Sequence, residues 1–320
     1  MMRYYALKTL ALCSFLLSVI SVLGCISPAQ EQVAKGDNFL KQERWDATII
    51  AYTTAQELDP GLKLNTTEID IKLAEAYRGR GYDSHLNGDY TGAIADYTKA
   101  TILNPDLATN EFNKQLAADY YRRGIAYIET GQIYMAIGDL TESIKLDPTI
   151  ELAYLNRGII YNERGEYRKA IDDLSEAIKF DQMNAMAFFY RGSAYIGLKD
   201  FYNAIIDNDH ALSLDSELAQ AYNNRGLAIY YYYRDYDRAM ADHSKALEID
   251  PKFAAAYLSR GSLRYFKQDY LKAIDDFSAA IELDPTIAVA YANRANAYQM
   301  IGKFEQAISD FNKAAELGYR

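Results

Sequence analysis

The chain shows a helical spacing of apolar and small residues that occurs in pairs of short stretches. In the segment from 151 to 184, Tyr154, Gly158 and Tyr161 are three or four positions apart and would share one helix face. After a short polar turn, Ala170, Leu174 and Ala177 are four and three positions apart and would share one face of a second stretch. The pattern therefore predicts a helical hairpin with one apolar face on each helix.

This hairpin pattern recurs along almost the whole chain. The glycines that align in register are separated by 43, 34, 34, 34 and 35 residues, and they are Gly81, Gly124, Gly158, Gly192, Gly226 and Gly261. With this glycine as position 8, eight repeats begin near residues 29, 74, 117, 151, 185, 219, 254 and 288. Self-similarity at such a period is typical of stacked helical hairpins, each of which covers the apolar face of its neighbour.

Other columns of the repeat indicate how its helices pack. Small residues recur at positions 8, 20 and 27, where they let helix axes approach closely, and large residues at positions 4, 17 and 24 fill the remaining space. Position 7 is Arg and position 23 is Asp in every repeat from the second to the eighth. We predict that these two columns form a ladder of Arg–Asp pairs, either within each repeat or between adjacent repeats.

The motif Tyr154-x-x-Arg157-Gly158-x-x-Tyr161, followed by Gly165-x-Tyr167-x-x-Ala170 and then Ala177, resembles the tetratricopeptide repeat. The resemblance extends from about residue 29 to the C-terminus, and the predicted solenoid domain is residues 25–320. It implies an all-α fold, an α-α superhelix (TPR solenoid) of about eight helix-turn-helix repeats. It also implies a concave groove, lined by the first helices, that binds peptides or partner proteins.

The family geometry places positions 2, 5, 6, 9, 12 and 13 in this groove. Asparagine and aromatic residues are frequent there, and such side chains bond a peptide backbone or anchor its side chains. The predicted protein-binding groove residues are Arg122, Asn156, Phe189, Tyr190, Asn223, Asn224, Tyr230, Tyr231, Tyr265 and Asn293, with repeats four to six as its main part. The alternative is an ordinary solvated first-helix face.

Three departures from the pattern stand out. About ten extra residues follow each of the first two repeats, around 63–73 and 108–116, and either helical extensions or a loosened joint would fit them. Repeat six has one extra residue within Tyr230–Tyr233, which must shift its first helix or widen its turn. No polar capping helix follows the last repeat, so a partner, a second copy of the chain or its own charge must cover its outer face.

The N-terminus predicts an export signal. Arg3 and Lys8 precede an apolar run from Thr9 to Leu23, which is short for a membrane span, and Gly24-Cys25 follows. Val22-Leu23-Gly24-Cys25 resembles the bacterial lipobox, which implies a lipoprotein-type signal peptide over residues 1–24 and acylation of Cys25, for example by palmitate. The prediction is an exported protein held at the membrane of the cell envelope with its solenoid outside the cytoplasm; an uncleaved anchor or plain secretion are the alternatives.

Composition narrows the candidate chemistry. The net charge is −10, and an acidic chain disfavours nucleic acid as a partner because phosphates require clustered Lys and Arg. Both cysteines lie within the first 25 residues, so the repeats contain no thiolate for a disulfide or metal site. No known enzyme motif is present. We therefore predict no catalytic residues, no metal and no cofactor.

The nearest approach to a metal or catalytic cluster is formed by acidic and histidine residues in repeats five and six, namely Asp207, Asp209, His210, Asp242 and His243. The simpler interpretation is a set of polar residues that form hydrogen bonds between neighbouring repeats.

The sequence as a whole predicts a non-enzymatic protein–protein interaction scaffold or adaptor, tethered at the cell envelope. A structural subunit of an envelope assembly and a lipoprotein that binds a solute or glycan are the alternatives. The expected partners are proteins, with membrane contact through the lipid and with self-association through the last repeat.

Overall fold

The computed structural model describes residues 26–60 and 66–319. These ranges contain sixteen α-helices and one short 3-10 helix, Pro105–Leu107. In chain order the α-helices are α1 Pro28–Leu40, α2 Trp45–Leu58, α3 Thr66–Leu86, α4 Tyr90–Leu103, α5 Asn110–Glu129, α6 Ile133–Leu146, α7 Glu151–Glu163, α8 Tyr167–Phe180, α9 Ala185–Gly197, α10 Phe201–Leu214, α11 Ala219–Tyr233, α12 Tyr236–Ile249, α13 Ala254–Phe266, α14 Tyr270–Leu283, α15 Ala288–Met300 and α16 Phe304–Glu316.

The helices belong to two compact units. The first contains the described residues up to Thr130 together with Lys145–Asp147, and the second contains Gly131–Ile144 and the residues from Pro148 onward. In the first unit α1 packs on α2 and α3 on α4; in the second, α7 to α16 pack in five consecutive pairs. The predicted all-α fold of helix-turn-helix repeats is confirmed.

A three-residue turn joins the helices of most hairpins. In repeat four, Arg164, Gly165 and Glu166 connect α7 to α8, and Gly165 adopts a left-handed conformation with φ of 75°. Glycine reaches this conformation without steric cost, which explains its place just after a helix.

The interior of each hairpin depends on the contact between positions 8 and 24. A Cβ added to Gly158 would lie 2.8 Å from Cγ of Leu174, and one added to Gly261 would lie 2.8 Å from the ring of Phe277. Both larger residues are almost completely buried. The glycine column therefore gives the second helix room for its large side chain, as the size pattern of the repeat indicates.

The extra residues after the first two repeats form helical extensions. The helix α3 begins at Thr66 and α5 at Asn110, several residues before the repeat starts near 74 and 117. Thr109 caps α5, since its side chain accepts a hydrogen bond from the backbone of Phe112. Of the two possibilities left open by the sequence, a loosened joint is thus excluded for the described part of these segments.

The extra residue of repeat six lengthens its first helix. The helix α11 has 15 residues, whereas α7, α9, α13 and α15 have 13 each. Only Arg234 and Asp235 remain to connect α11 to α12, and Arg234 adopts a left-handed conformation with φ of 57°. The turn is therefore shorter than elsewhere, where we expected a shifted helix or a wider turn.

The last helix exposes apolar side chains on the face that a further repeat would cover. Phe304 and Ile308 are each 61% exposed and Phe311 is 38% exposed. Their spacing of four and three residues places them on one side of α16.

The predicted signal peptide and Cys25 lie outside the described residues. Within the described ranges no helix combines the length and apolar character needed to cross a membrane.

Candidate protein-binding cleft

A ladder of Arg–Asp pairs fixes the two helices of a hairpin against each other. The Arg at position 7 of the first helix meets the Asp at position 23 of the second helix in Arg80–Asp96, Arg157–Asp173, Arg191–Asp207, Arg225–Asp242, Arg260–Asp276 and Arg294–Asp310. Nε and Nη2 of each Arg donate to the two carboxylate oxygens, so each pair is bidentate. The predicted ladder is confirmed for these six repeats.

The remaining guanidinium nitrogen of several of these arginines reaches the preceding repeat. Nη1 of Arg191 donates to Oγ of Ser175 at 3.0 Å, and Nη1 of Arg225 donates to Asp209 at 2.7 Å. The same side chain therefore sets the register within one hairpin and links it to the hairpin before it.

With the hairpins held in this way, the first helices of repeats six, seven and eight line a cleft of about 480 Å³. We call it the first-helix cleft. It lies within the second unit, and its lining comes from α11, α13 and α15, with two residues of second helices below them. The lining residues are Leu227, Tyr230, Tyr231, His243, Leu258, Ser259, Ser262, Leu263, Tyr265, Phe266, Phe277, Val289, Asn293 and Asn296.

Aromatic rings form one wall of the first-helix cleft. The ring of Tyr230 stacks on that of Phe266 with centroids 6.0 Å apart, and it contacts Tyr231 at 5.0 Å. Phe266 is 55% exposed and Tyr231 is 46% exposed. Exposed rings that are held by their neighbours bind a partner with little loss of side-chain entropy.

Polar but uncharged groups complete the lining. Nδ2 of Asn293 lies 3.4 Å from Oγ of Ser262, and Asn296 also faces the cleft. None of the lining residues is an aspartate, glutamate, lysine or arginine. Asparagine amides and serine hydroxyls can bond a peptide backbone, while leucine and aromatic side chains contact apolar side chains.

The buried His243 forms part of the floor. It is 1% exposed, and its Nδ1 lies 2.9 Å from Oδ1 of Asn223 on the first helix of the same repeat. Burial, together with the charge of Arg260, lowers the pKa of His243 to about 4. The ring is therefore neutral at pH 7, and since an amide oxygen only accepts, Nδ1 carries the proton.

The structure brings four of the predicted groove residues together. Tyr230, Tyr231, Tyr265 and Asn293 all line the first-helix cleft. The remaining predicted residues do not line it. Arg122 lies in the first unit, where its guanidinium covers the ring of Tyr90 at 5.8 Å.

The other predicted residues in repeats four to six have contacts of their own. Nδ2 of Asn156 donates to the carbonyl of Leu152 in the same helix, and Tyr190 packs against the core of repeat four beside Phe189. Burial raises the pKa of the Tyr190 hydroxyl, as does the charge of Glu163. Asn223 is 8% exposed because its amide bonds His243 inside the hairpin, whereas Asn224 is half-buried.

Several lining residues were not singled out from the sequence, among them Leu227, Leu258, Ser262 and Val289. They occupy positions 9, 5, 9 and 2 of their repeats, which are groove columns. The column rule alone would have found them, but the prediction favoured asparagine and aromatic residues. Phe277 and His243 lie at position 24 of the second helix, outside the groove columns. They could be predicted as lining residues only from the contact between position 24 and the glycine at position 8.

The acidic and histidine residues of repeats five and six are engaged in structural contacts. Asp207 pairs with Arg191, and Arg225 pairs with both Asp242 and Asp209. The ring of His210 stacks on that of Phe188 at 5.2 Å. Among the described residues, no group of three or more histidine, cysteine, aspartate or glutamate side chains is placed to hold a metal ion.

Comparisons with known proteins agree with this architecture. Family models described as TPR repeat or tetratricopeptide repeat match residues 120–150, 158–198, 254–287 and 288–317. No match was found among the curated proteins.

Solved structures with a similar fold include PilF of Pseudomonas aeruginosa, which is 17% identical with a TM-score of 0.56 over 64% of this chain and 93% of that one. TTC0263 of Thermus thermophilus is 19% identical, with a TM-score of 0.47 over 52% of this chain and 91% of that one. YrrB, described as a TPR protein with an unusual peptide-binding site, is 20% identical, with a TM-score of 0.43 over 56% and 92% of the two chains. At 17% identity, the likeness to PilF shows the fold alone.

The repeated hairpins, the Arg–Asp ladder within them and the four matched segments lead to the same family. The chain belongs to the tetratricopeptide-repeat proteins.

Proposed function

We propose that this protein is a non-enzymatic scaffold, tethered at the cell envelope by a lipid on Cys25, that binds an apolar segment of a partner protein in the first-helix cleft. Proteins of this repeat family are interaction scaffolds that bind protein partners. The observation that carries the proposal is the cleft itself, which is aromatic, free of acidic and strongly basic side chains, and built by the first helices of three consecutive repeats.

The character of the lining supports an apolar protein segment as the occupant. The chain has a net charge of −10, yet no carboxylate lines the cleft. Exposed neighbouring aromatic rings on a soluble protein mark interaction sites, since burying them is favourable. The amides of Asn293 and Asn296 would bond the backbone of the segment.

The test is recovery of partner proteins after crosslinking in intact cells, with the full chain expressed at its normal level. Tyr231→Ala and Phe266→Ala remove exposed rings from the cleft wall, so both variants should reduce the recovery of a specific partner. Tyr134→Ala is the matched control, because Tyr134 is 76% exposed on α6 and does not line the cleft. Undiminished recovery with both cleft variants would exclude the cleft as the binding surface.

A second set of variants tests the residues predicted in repeats four to six. Asn156→Ala and Asn224→Ala should weaken the partner without unfolding the protein if the groove extends to these repeats. Tyr190→Ala should reduce recovery more strongly, but its contacts with the core of repeat four require a parallel measurement of stability. Loss of the partner only in this second set would place the site on repeats four to six.

Attachment to the envelope rests on the N-terminal sequence, with its charged start, apolar run and Gly24-Cys25. A diacylated and N-acylated cysteine would provide more than one lipid chain, which suffices for stable anchoring. If no protein is recovered but a solute or glycan binds, the alternative of a solute-binding lipoprotein replaces the scaffold.

We also propose that the exposed apolar side of α16 supports self-association. Phe304, Ile308 and Phe311 form a continuous exposed stripe there. Replacement of Ile308 by Lys should shift a dimer toward monomer in sedimentation velocity experiments. An identical sedimentation coefficient for the wild type and this variant at all concentrations would exclude this role.

A further inference from the structure

The first unit contains a second cavity, which differs in chemistry from the first-helix cleft. It has a volume of about 600 Å³ and lies between the start of α2, the second half of α3 and the start of α5. We call it the acidic aromatic cavity. Thr109, Glu111 and Phe112, which line one side, belong to the extra segment that follows repeat two, and Leu107 lies just before it. The cavity therefore exists because the chain departs from the repeat pattern at this point.

Aromatic side chains line the acidic aromatic cavity from three directions. Trp45 comes from α2, Tyr82 from α3 and Phe112 from α5, and the buried Tyr97 of α4 also lines the cavity. The rings of Tyr97 and Phe112 meet edge to face with centroids 5.1 Å apart. Tyr82 is 51% exposed, so its ring is available to a ligand.

The orientation of Trp45 is fixed by two contacts. A Cβ added to Gly79 would lie 2.5 Å from Cε2 of Trp45, so the indole lies against the bare backbone of α3. Its Nε1 donates to Oδ2 of Asp83 at 2.9 Å. The ring is held in place before any ligand arrives, which lowers the entropy cost of binding.

The charges around the acidic aromatic cavity favour a cation. Glu43, Glu75 and Glu111 line it from three different segments. The single basic lining residue is Arg78, so the formal charge of the lining is −2. The N-terminus of α5 contributes a partial positive charge of about +0.5, which leaves the balance negative. No described residue forms a salt bridge with these three carboxylates.

We propose that the acidic aromatic cavity binds a small organic cation with an alkylated ammonium group. Aromatic faces attract such a cation through the electrostatic field of the ring, and the carboxylates neutralise its charge. The volume falls within the range of small-molecule sites. The first-helix cleft has no acidic lining, so this site is independent of the proposed protein-binding function.

The test uses intrinsic fluorescence, because Trp45 is the only tryptophan in the chain and lines the cavity. The full chain is titrated with choline, and in parallel with 3,3-dimethylbutan-1-ol, which has the same shape without the charge. Choline should change the emission of Trp45 in a saturable way, and it should bind at least about fivefold more tightly than the neutral alcohol. Equal affinity for the two molecules would overturn the proposal.

Variants identify the groups responsible. Glu75→Gln and Tyr82→Ala, both at exposed positions, should each weaken choline binding by about fivefold or more. Glu129→Gln and Tyr319→Ala are the matched controls outside the cavity and should leave the affinity unchanged. Unchanged choline binding in both cavity variants, with circular dichroism showing intact helices, would also overturn the proposal.

A third titration separates the free cation from a basic side chain of a protein. A short lysine-containing peptide is added under the same conditions, and choline should bind in preference to it. If the peptide changes the emission of Trp45 but choline does not, the cavity receives a protein side chain and the small-molecule proposal fails.

Discussion

At the scale of single residues, the contact between position 8 and position 24 decides how closely the two helices of a hairpin approach. Gly158 faces Leu174 with no room for a Cβ, whereas Gly138, which lies in the middle of α6, has open space around it. The two glycines therefore serve different purposes, although both lie inside helices.

Replacing Gly158 by Leu should lower the free energy of unfolding by about 1–3 kcal/mol, because the added side chain overpacks a full interior. Replacing Gly138 by Ala should raise it by about 0.5–1 kcal/mol, because alanine favours the helix and meets no neighbour. Urea unfolding followed by circular dichroism measures both. Equal stability of the Gly158→Leu variant and the wild type would contradict the packing described for this hairpin.

A buried histidine at position 24 makes repeat six sensitive to acid. The pKa of His243 is about 4 in the folded chain, below the value of 6.5 for an unperturbed histidine, so the unfolded chain binds its proton first as the pH falls. The stabilising contribution of neutral His243 is complete above pH 6.5 and is lost progressively between pH 6.5 and 4. The total loss is about 3 kcal/mol, from a slope of about 1.4 kcal/mol per pH unit.

The measurement is the free energy of unfolding at pH 7, 6 and 5, for the wild type and for His243→Leu, which introduces the residue found at position 24 of repeat four. The variant should lose less stability between pH 7 and pH 5 than the wild type. His210→Leu is the control, because the ring of His210 lies at the surface. A wild-type slope in His243→Leu would contradict the assignment.

The position of single polar groups was the least predictable part of the site. Asn223 occupies a groove column, but the histidine at position 24 of the same repeat draws its amide into the hairpin. The position of a residue in the repeat predicts which way its side chain points when the neighbouring positions carry their usual residue types. It does not predict such a pair, because the partner lies 20 residues away in sequence.

At the scale of elements, the side chains of the Arg–Asp ladder are less exposed to solvent than those of an ordinary surface ion pair. The carboxylates are 3–11% exposed and the guanidinium side chains 15–33% exposed. An exposed ion pair contributes only about 0–1 kcal/mol to the free energy of unfolding. Burial changes this, since removal of one partner leaves the other charge without compensation in a poorly solvated position.

Replacement of Arg191 by Ala should therefore destabilise the protein by about 3–5 kcal/mol, because Asp207 is left buried and unpaired. Arg191→Lys should also destabilise it, by about 1–3 kcal/mol, since an ammonium group cannot form the bidentate contact. A double-mutant cycle with Asp207→Leu and Arg191→Leu should show a coupling free energy of about 0.5–3 kcal/mol. Additive effects of the two single changes would show that the pair contributes no specific interaction.

The elements themselves followed closely from the sequence. The helices and the pairing of Arg with Asp came from the spacing of residues within 34-residue units, and local spacing determines which side chains share a face. The extensions of α3 and α5 were one of two options, because a segment outside the repeat has no column to compare with. The lengthened α11 was not expected, because the sequence does not show whether an extra residue joins the helix or the turn. Here it joins the helix, and the left-handed conformation of Arg234 allows the shorter connection.

At the scale of the whole molecule, the proposed attachment to the envelope rests on residues outside the described ranges. We expect the mature protein to begin at Cys25 and to carry acyl chains, because Gly24-Cys25 ends an apolar run after a basic start. Mass spectrometry of the intact native protein measures this directly. Cys25→Ser should abolish the lipid mass and release the protein from membranes. An unmodified Cys25, or retention of Met1, would exclude the lipoprotein.

The Arg–Asp pairs also determine whether whole hairpins can be added to or removed from the chain. Most of the pairs join residues 16 positions apart within one hairpin, so duplication or excision of a whole hairpin leaves every other pair intact. The hydrogen bond from Nη1 to the preceding repeat varies in its acceptor, because Arg191 donates to Ser175 whereas Arg225 donates to Asp209. Both acceptors occupy the same column, and either can receive the guanidinium. Hairpins of this protein should therefore be exchangeable as modules, with only the junction contacts rebuilt at each new boundary.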